Sequence, residues 1–327
     1  MRSVLQERLK VDPYANDPGR WGHSFANLAD LFVPCLDIVE PNAVLEVGAY
    51  AGDLTRVLLE WARERNARVI AVDPEPQTAL IELSERCPEL ELIRSTSLEA
   101  LTSVHLPEAV ILDGDHNYYT VYHELKAIAS RRSGDNFPLV LLHDVGWPHG
   151  WRDAYYVPER IPAEWRQPIT EGGGLVPGER GTKPGGLPYK WVASQEGGPR
   201  NGVRTALEDF VAEQQGLRVA VVAAFFGFGV LWHEDAPWAQ AIEQLVRPWS
   251  ANAIVGRLER NRVWHLATTH TQRSALYELE LEIQQVEDWL RKIESSRIFR
   301  TLRSVAGAFR SATRRAPSLS DGSRDEA

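Results

Sequence analysis

Asp113-Gly114-Asp115-His116 and His143-Asp144 are the groups whose residue types and placement best suit chemistry. Each closes an apolar run, Ala109-Val110-Ile111-Leu112 and Leu139-Val140-Leu141-Leu142. If the runs are adjacent parallel strands, both groups emerge at one sheet edge and concentrate negative charge there. Isolated buried carboxylates are costly. One remedy is a divalent cation held by hard oxygens, with imidazole admissible for Mn²⁺ or similar ions. The other is for Asp113 and Asp144 to cap neighbouring turns by accepting backbone N–H bonds. To activate a hydroxyl, such an edge also needs a base. His116 is the first candidate, because histidine titrates near neutrality and this one sits beside the acids. His149, in Trp147-Pro148-His149-Gly150-Trp151-Arg152-Asp153, is the second. His105, His123, His233, His265 and His270 are expected to be structural.

A second group lies nearer the N-terminus, in Glu46-Val47-Gly48-Ala49-Tyr50-Ala51-Gly52-Asp53. Gly48 and Gly52 let backbone approach a ligand, and the helix that follows turns its amide donors toward it. The turn is not G-x-G-x-x-G, and the acid Glu46 before it suits a ligand with a positive amine. Asp73 stands where an acid accepts both ribose hydroxyls in folds of this kind.

The elements that position these groups are read from periodicity. Strands are expected at 43–47, 68–73, 89–94, 109–113 and 139–144, all rich in Val, Ile and Leu. Near-continuous apolar strands alternating with helices predict a doubly wound, mostly parallel α/β sheet. Ligands in such sheets bind beyond the carboxyl ends of the strands. Apolar runs at 218–225 and 228–232 predict an antiparallel hairpin that closes the sheet at seven strands. Residues 1–40 read as a helical lead and 41–235 as the main domain.

These residues resemble class I S-adenosylmethionine-dependent methyltransferases over roughly 40–235. The resemblance rests on the E-x-G-x-x-x-G turn, Asp73, Ser97-Leu98-Glu99 and the closing hairpin. It implies that Glu46 and Gly48 hold the methionine portion, Asp73 the ribose, and Ser97 with Leu98 the adenine side. Tyr50, Gly52 and Asp113 complete the implied cofactor set, although the family usually has glycine where this chain has Tyr50. The first acid and the last His-Asp pair are similar to the metal site of macrocin and catechol O-methyltransferase-like enzymes and of the cephalosporin hydroxylase-like group. That similarity implies Asp113, His143 and Asp144 as ligands of a divalent cation. Those families begin the last pair with an acid and this chain with His143, a departure that counts against Mg²⁺ specifically within the implied choice of Mg²⁺ or Mn²⁺.

The expected reaction is O-methylation of a hydroxyl. Trp147, Trp151, Tyr155, Tyr156, Trp165 and Trp191 are read as an acceptor wall suited to carbohydrate rings or as ordinary core. Arg204 is read as a contact to an anionic substrate group. Two alternatives remain: a metal-dependent hydroxylase-like enzyme on the same fold, and a non-catalytic scaffold of a polysaccharide assembly system.

Residues 171–200 hold nine glycines and four prolines and read as a mobile lid without regular structure. Residues 236–315 read as a helical extension, and 316–327 as a disordered tail. Leu276, Leu279, Ile283, Val286, Leu290 and Ile293 make a short heptad seam, which either packs on the domain or joins two copies. From 295 to 320 there are six arginines and no acid, interleaved with Ile298, Phe299, Leu302, Val305 and Phe309. That composition suits a basic amphipathic helix resting on an anionic membrane or polymer. The segment also resembles endings of bacterial surface-polysaccharide assembly proteins, which favours a glycan acceptor.

The net charge of −9 over 327 residues argues against nucleic acid as a partner. Cys35 and Cys87 have no metal-binding spacing and are expected to be buried thiols. No run approaches the about 18 apolar residues of a membrane span. The charged start Met1-Arg2-Ser3-Val4-Leu5-Gln6-Glu7-Arg8 is unlike a signal peptide, so a cytoplasmic enzyme is expected, with the inner membrane face as a contact.

Overall fold

The computed structural model describes residues 23–131 and 137–313. The expected tail at 316–327 and most of the lead before the first helix lie outside these. Backbone contacts divide the chain into two compact units that meet at Thr271 and Gln272.

The strands are β1 Ala43–Val47, β2 Arg68–Val72, β3 Leu90–Ile93, β4 Ala109–Leu112, β5 Leu139–Leu142, β6 Ile169–Leu175, β7 Leu187–Ala193, β8 Leu217–Val222 and β9 Phe228–His233. The helices are α1 Ala29–Val39, α2 Asp53–Arg65, α3 Thr78–Arg86, α4 Ser97–Ser103, α5 Tyr118–Ser130, α6 Val203–Ala212, α7 Ala239–Val246, α8 Ala253–Ser295 and α9 Arg297–Thr313. Seven strands form one sheet in the order β3-β2-β1-β4-β5-β9-β8. β1 to β5 run parallel, while β9 pairs antiparallel with both β5 and β8. The expected α/β sheet and its closing hairpin are therefore present.

Successive residues of a strand face opposite sides, and here both sides are apolar. Val44, Val69, Ile111 and Leu141 join a core with α1, α2 and α7. Leu45, Val72, Val110 and Leu142 join a second core with α4, α5 and α6. All four residues of β4 and of β5 are buried, so the polar groups that follow them can only emerge at the carboxyl edge.

Three elements differ from the sequence reading. Residues 171–200 are not without regular structure, since β6 and β7 cover 171–175 and 187–193 and pair as a separate antiparallel hairpin. Its glycines permit close backbone approach: a Cβ on Gly174 would lie 1.6 Å from the Gly185 carbonyl oxygen. The first compact unit also continues beyond 235, through α7 and the start of α8, where Val263 and Leu266 pack with Leu187 and Phe226. Finally, β8 stops at Val222, and a link at 223–227 joins it to β9, with Phe225 and Phe226 at φ +48° and +70°. Tertiary bonds hold that link: the Phe226 N–H donates to Glu259 of α8 (2.8 Å) and its carbonyl accepts from the Gly146 N–H (2.6 Å).

The second unit consists of α8 from Gln272 onward and α9. No helix among the described residues is long and apolar enough to cross a membrane.

Candidate active site

The turn after β1 is fixed by contact with β4. Gly48 has φ +89°, and a Cβ there would lie 2.2 Å from the Asp113 carbonyl oxygen, so no side chain fits. Asp73, buried at the end of β2, accepts the Tyr50 N–H at 2.7 Å through one carboxylate oxygen and the Glu75 N–H at 2.8 Å through the other. Each oxygen retains a lone pair for one further donor. Tyr50 has φ +43° and an exposed side chain, so its part in the turn is carried by backbone. Gly52, at φ +84°, opens α2.

Glu46 is fully buried. Thr55 donates to its Oε2 at 2.7 Å, while Oε1 has no hydrogen-bond partner among the described residues. Burial pushes its pKa up to about 8, with Asp113 and Asp73 adding to the rise against the Thr55 bond. Ser97 and Leu98 begin α4, whose first turn is capped by Thr96 and held by a Ser95 hydroxyl bond to Glu99. The predicted cofactor residues thus share the carboxyl edge formed by β1, β2 and β4 and the loop after β3.

At the neighbouring ends of β4 and β5, one donor atom from each of Asp113, His143 and Asp144 lies within 4.8 Å of the others. His143 Nδ1 sits 2.9 Å from Asp113 Oδ1 and 3.4 Å from Asp144 Oδ2. Its Nε2 donates to the Phe225 carbonyl at 2.8 Å. With Nε2 fixed as a donor to Phe225, Nδ1 faces the two carboxylates, as a donor to Asp113 when protonated and as a lone pair for a cation when not, which is how a second hydrogen bond orients a ligating imidazole. Burial alone disfavours the imidazolium, but Asp144 and Asp113 outweigh it and push His143 up to about 9. Burial likewise opposes charge on Asp144, yet His143 and His116 prevail and hold its pKa low. The site therefore places one positive charge between two carboxylates, a place that a proton or a cation can fill. Two hard oxygens and one nitrogen suit a Mn²⁺- or Mg²⁺-like ion with water completing the shell.

His116 Nδ1 pairs with Asp144 Oδ2 at 3.0 Å, and its Nε2 lies 3.1 Å from the Tyr156 hydroxyl. His149 stacks flat on the His116 ring at a centroid distance of 4.8 Å and meets Tyr189 edge-on. Burial, helped by His116 nearby, drops His149 to about 3, so it is a neutral platform under His116 at ordinary pH.

The aromatic group is divided. Tyr156 reaches His116. Tyr155 instead donates to Asp153, and Trp165 packs against the rings of Tyr118, Tyr119, Tyr122 and His123 of α5. Arg204 pairs with Glu208 at 2.7 Å and lies over Trp151.

Several contributors escape a sequence reading. The Phe225 carbonyl that orients His143 has no residue-type signature. The Phe25 ring meets His143 edge-on at 5.4 Å. Buried Asp153 accepts the N–H groups of Tyr118 and Gly202 and the Tyr155 hydroxyl, tying the loop after β5 to the starts of α5 and α6. Only its position in the aromatic-rich Trp-Arg-Asp segment hinted at it.

Residues 45–145 match the model of a family described as a methyltransferase domain. Over that stretch the chain is similar to a methyltransferase domain. The matched stretch contains every predicted cofactor and metal residue together with His116, and ends just before His149. No curated protein matches the chain. The chain is similar in fold to an SAH-bound methyltransferase of Podospora anserina, at 15% identity over 72% of this chain and 97% of that one, with a TM-score of 0.40. It is also similar to an SAH-bound O-methyltransferase of Bacillus cereus, at 14% identity over 69% and 89% of the two chains, with a TM-score of 0.38. The matched stretch holds both the Gly48–Gly52 turn after β1 and the Asp113, His143 and Asp144 cluster at the ends of β4 and β5.

Proposed function

We propose that this S-adenosylmethionine-dependent methyltransferase acts on an oxygen, the hydroxyl of a sugar or surface glycan, with a divalent cation at Asp113, His143 and Asp144. The observation that carries this reading is the Asp144–His116 pair beside that three-residue donor set, at the same sheet edge as Gly48 and Asp73.

S-adenosylmethionine would supply an already activated methyl group on a sulfonium. The protein must then hold the cofactor, place an acceptor oxygen in line and remove its proton. Asp73 offers both carboxylate oxygens to the ribose. Buried Glu46 Oε1 suits the cofactor's ammonium, which would draw Glu46 into its charged form. A divalent cation would favour the alkoxide form of the acceptor by stabilising its charge. Asp144 holds the proton of His116 at Nδ1, which leaves Nε2 to accept the hydroxyl proton where Tyr156 now sits. His149 keeps the His116 ring in place. The exposed Tyr156 ring offers a sugar an aromatic face beside that base.

Calorimetric titration with S-adenosylhomocysteine, before and after removal of divalent metal, tests the ligands. Saturable binding that disappears in Asp73→Ala, and a Mn²⁺ binding heat that disappears in Asp144→Ala, are the expected results. Absence of S-adenosylhomocysteine binding to the folded protein overturns the reading. A methyl-transfer screen on sugar acceptors then tests the substrate, with His116→Asn expected to lower kcat about 10²–10⁴-fold. Transfer to nitrogen or to small phenols alone overturns the glycan assignment.

A further inference from the structure

The second unit carries two apolar helix faces that nothing among its described residues covers. On α8, Leu276, Leu279, Ile283, Val286 and Leu290 form a seam with spacings of three and four, each 46–59% exposed. On α9, Ile298, Phe299, Leu302 and Val305 share one side and are 36–75% exposed. Exposure of this extent on both faces marks them as surfaces awaiting a partner.

Their rims carry opposite charge. Residues 272–295 contain six acids and three bases. Glu280 and Glu287 lie one turn beyond Leu276 and Ile283 on one rim of the seam, and Glu282 lies on the other. The α9 helix contains four arginines and no acid, with Arg303 one turn beyond Phe299 and Arg297 bordering the opposite rim. Two α8 seams laid together would align rows of glutamates, which opposes a coiled coil of α8 with itself. An acid-rimmed seam against an arginine-rimmed face aligns unlike charges.

The lengths agree as well. The seam from Leu276 to Ile293 spans about 27 Å and the 17 residues of α9 about 25 Å at 1.5 Å per residue. The two helices of one chain cannot form this pair. Only Ser296 separates α8 from α9, whereas antiparallel helices need a connection of about two to five residues.

We propose that the α8 seam of one copy receives α9 of a second copy and that the exchange is reciprocal, giving a two-fold dimer. The apolar faces supply the association, and the glutamate and arginine rims select α8–α9 pairing over α8–α8.

Sedimentation of the full chain tests this with two charge-reversed variants, Arg297→Glu/Arg303→Glu and Glu280→Lys/Glu287→Lys. Wild type is expected to be a dimer, and each variant alone to dissociate about tenfold or more readily. An equimolar mixture of the two variants is expected to recover the dimer, because the reversed helix of one then meets the reversed seam of the other. That recovery also shows that both variants are folded. A monomeric wild type, or a dimer indifferent to both reversals, overturns the proposal. So does a monomeric chain that co-sediments with phosphatidylglycerol-containing vesicles, a result that would give the arginine helix to an anionic membrane.

Discussion

The two halves of the sheet's carboxyl edge hold their polar groups by different means. At the ends of β1 and β2 the carboxylate of Asp73 is held by backbone N–H groups of Tyr50 and Glu75, and Gly48 is held by van der Waals contact with Asp113. At the ends of β4 and β5, Asp113, His143, Asp144 and His116 are held chiefly by one another. Backbone donors fix a shape and do not ionise near neutral pH, so the first half is suited to recognising a ligand. Side chains that hold one another share protons, so the second is suited to moving one.

The largest expected effect falls on the second half. Asp144→Asn removes the charge that orients His116 and one of the two carboxylates that face His143. We expect kcat to fall about 10²–10⁴-fold, the usual worth of a positioned base, while S-adenosylhomocysteine affinity changes by less than about threefold. Single-turnover methyl transfer and calorimetry measure the two quantities separately. A loss of affinity as large as the loss of rate would erase the division between the halves.

The converse substitution comes next. Asp73→Ala removes the acceptor of two N–H groups and of the ribose, and should weaken S-adenosylhomocysteine binding about 10²-fold, or about 3 kcal/mol. The Mn²⁺ binding heat should be unchanged, since Asp73 belongs to neither the donor set nor the His116 pair. A simultaneous loss of Mn²⁺ binding would show that the turn also supports the cluster.

These divisions were unequally visible in the sequence. The five parallel strands announce themselves because burial on both faces leaves unbroken Val, Ile and Leu runs, and Asp73, Asp113 and Asp144 stand out because charge follows such runs abruptly. The β6–β7 hairpin was hidden by its own means of construction, since glycines that let Gly174 approach Gly185 read as a loop. The hold on His143 was hidden because it comes from a carbonyl, and every residue has one. The packing of Trp165 against α5 was hidden because spacing does not reveal which side of a helix a distant tryptophan will reach.

A smaller effect should appear in stability against pH. Glu46 and Glu124 are both buried, and burial raises each from its ordinary value to about 8. In the unfolded chain both ionise near 4.5, whereas in the folded protein they stay protonated up to about 8. Their contribution to stability is therefore full below 4.5 and is lost as pH rises through 8, at no more than about 1.4 kcal/mol per pH unit for each group. Scanning calorimetry should show Tm falling between pH 5 and pH 8, with a shallower fall in Glu46→Gln. If S-adenosylhomocysteine draws Glu46 into its charged form, saturation with it should also flatten the wild-type profile. An unchanged slope in Glu46→Gln would mean that Thr55 and the ligand turn hold Glu46 ionised in the free protein.

The smallest effect separates the site from the surface beside it. Arg204 reads in sequence as a substrate contact because it follows the glycine-rich segment that returns toward the site. In the structure its guanidinium is engaged by Glu208 one turn along α6 and rests over Trp151. A pair of this kind is worth about 0.3–0.5 kcal/mol. Arg204→Ala should shift Tm by no more than about 2 °C and KM for the acceptor by less than about twofold. A KM rise of tenfold or more with kcat unchanged would mean that Arg204 leaves Glu208 to bind an anionic acceptor, extending the substrate site from the His116 edge across to α6.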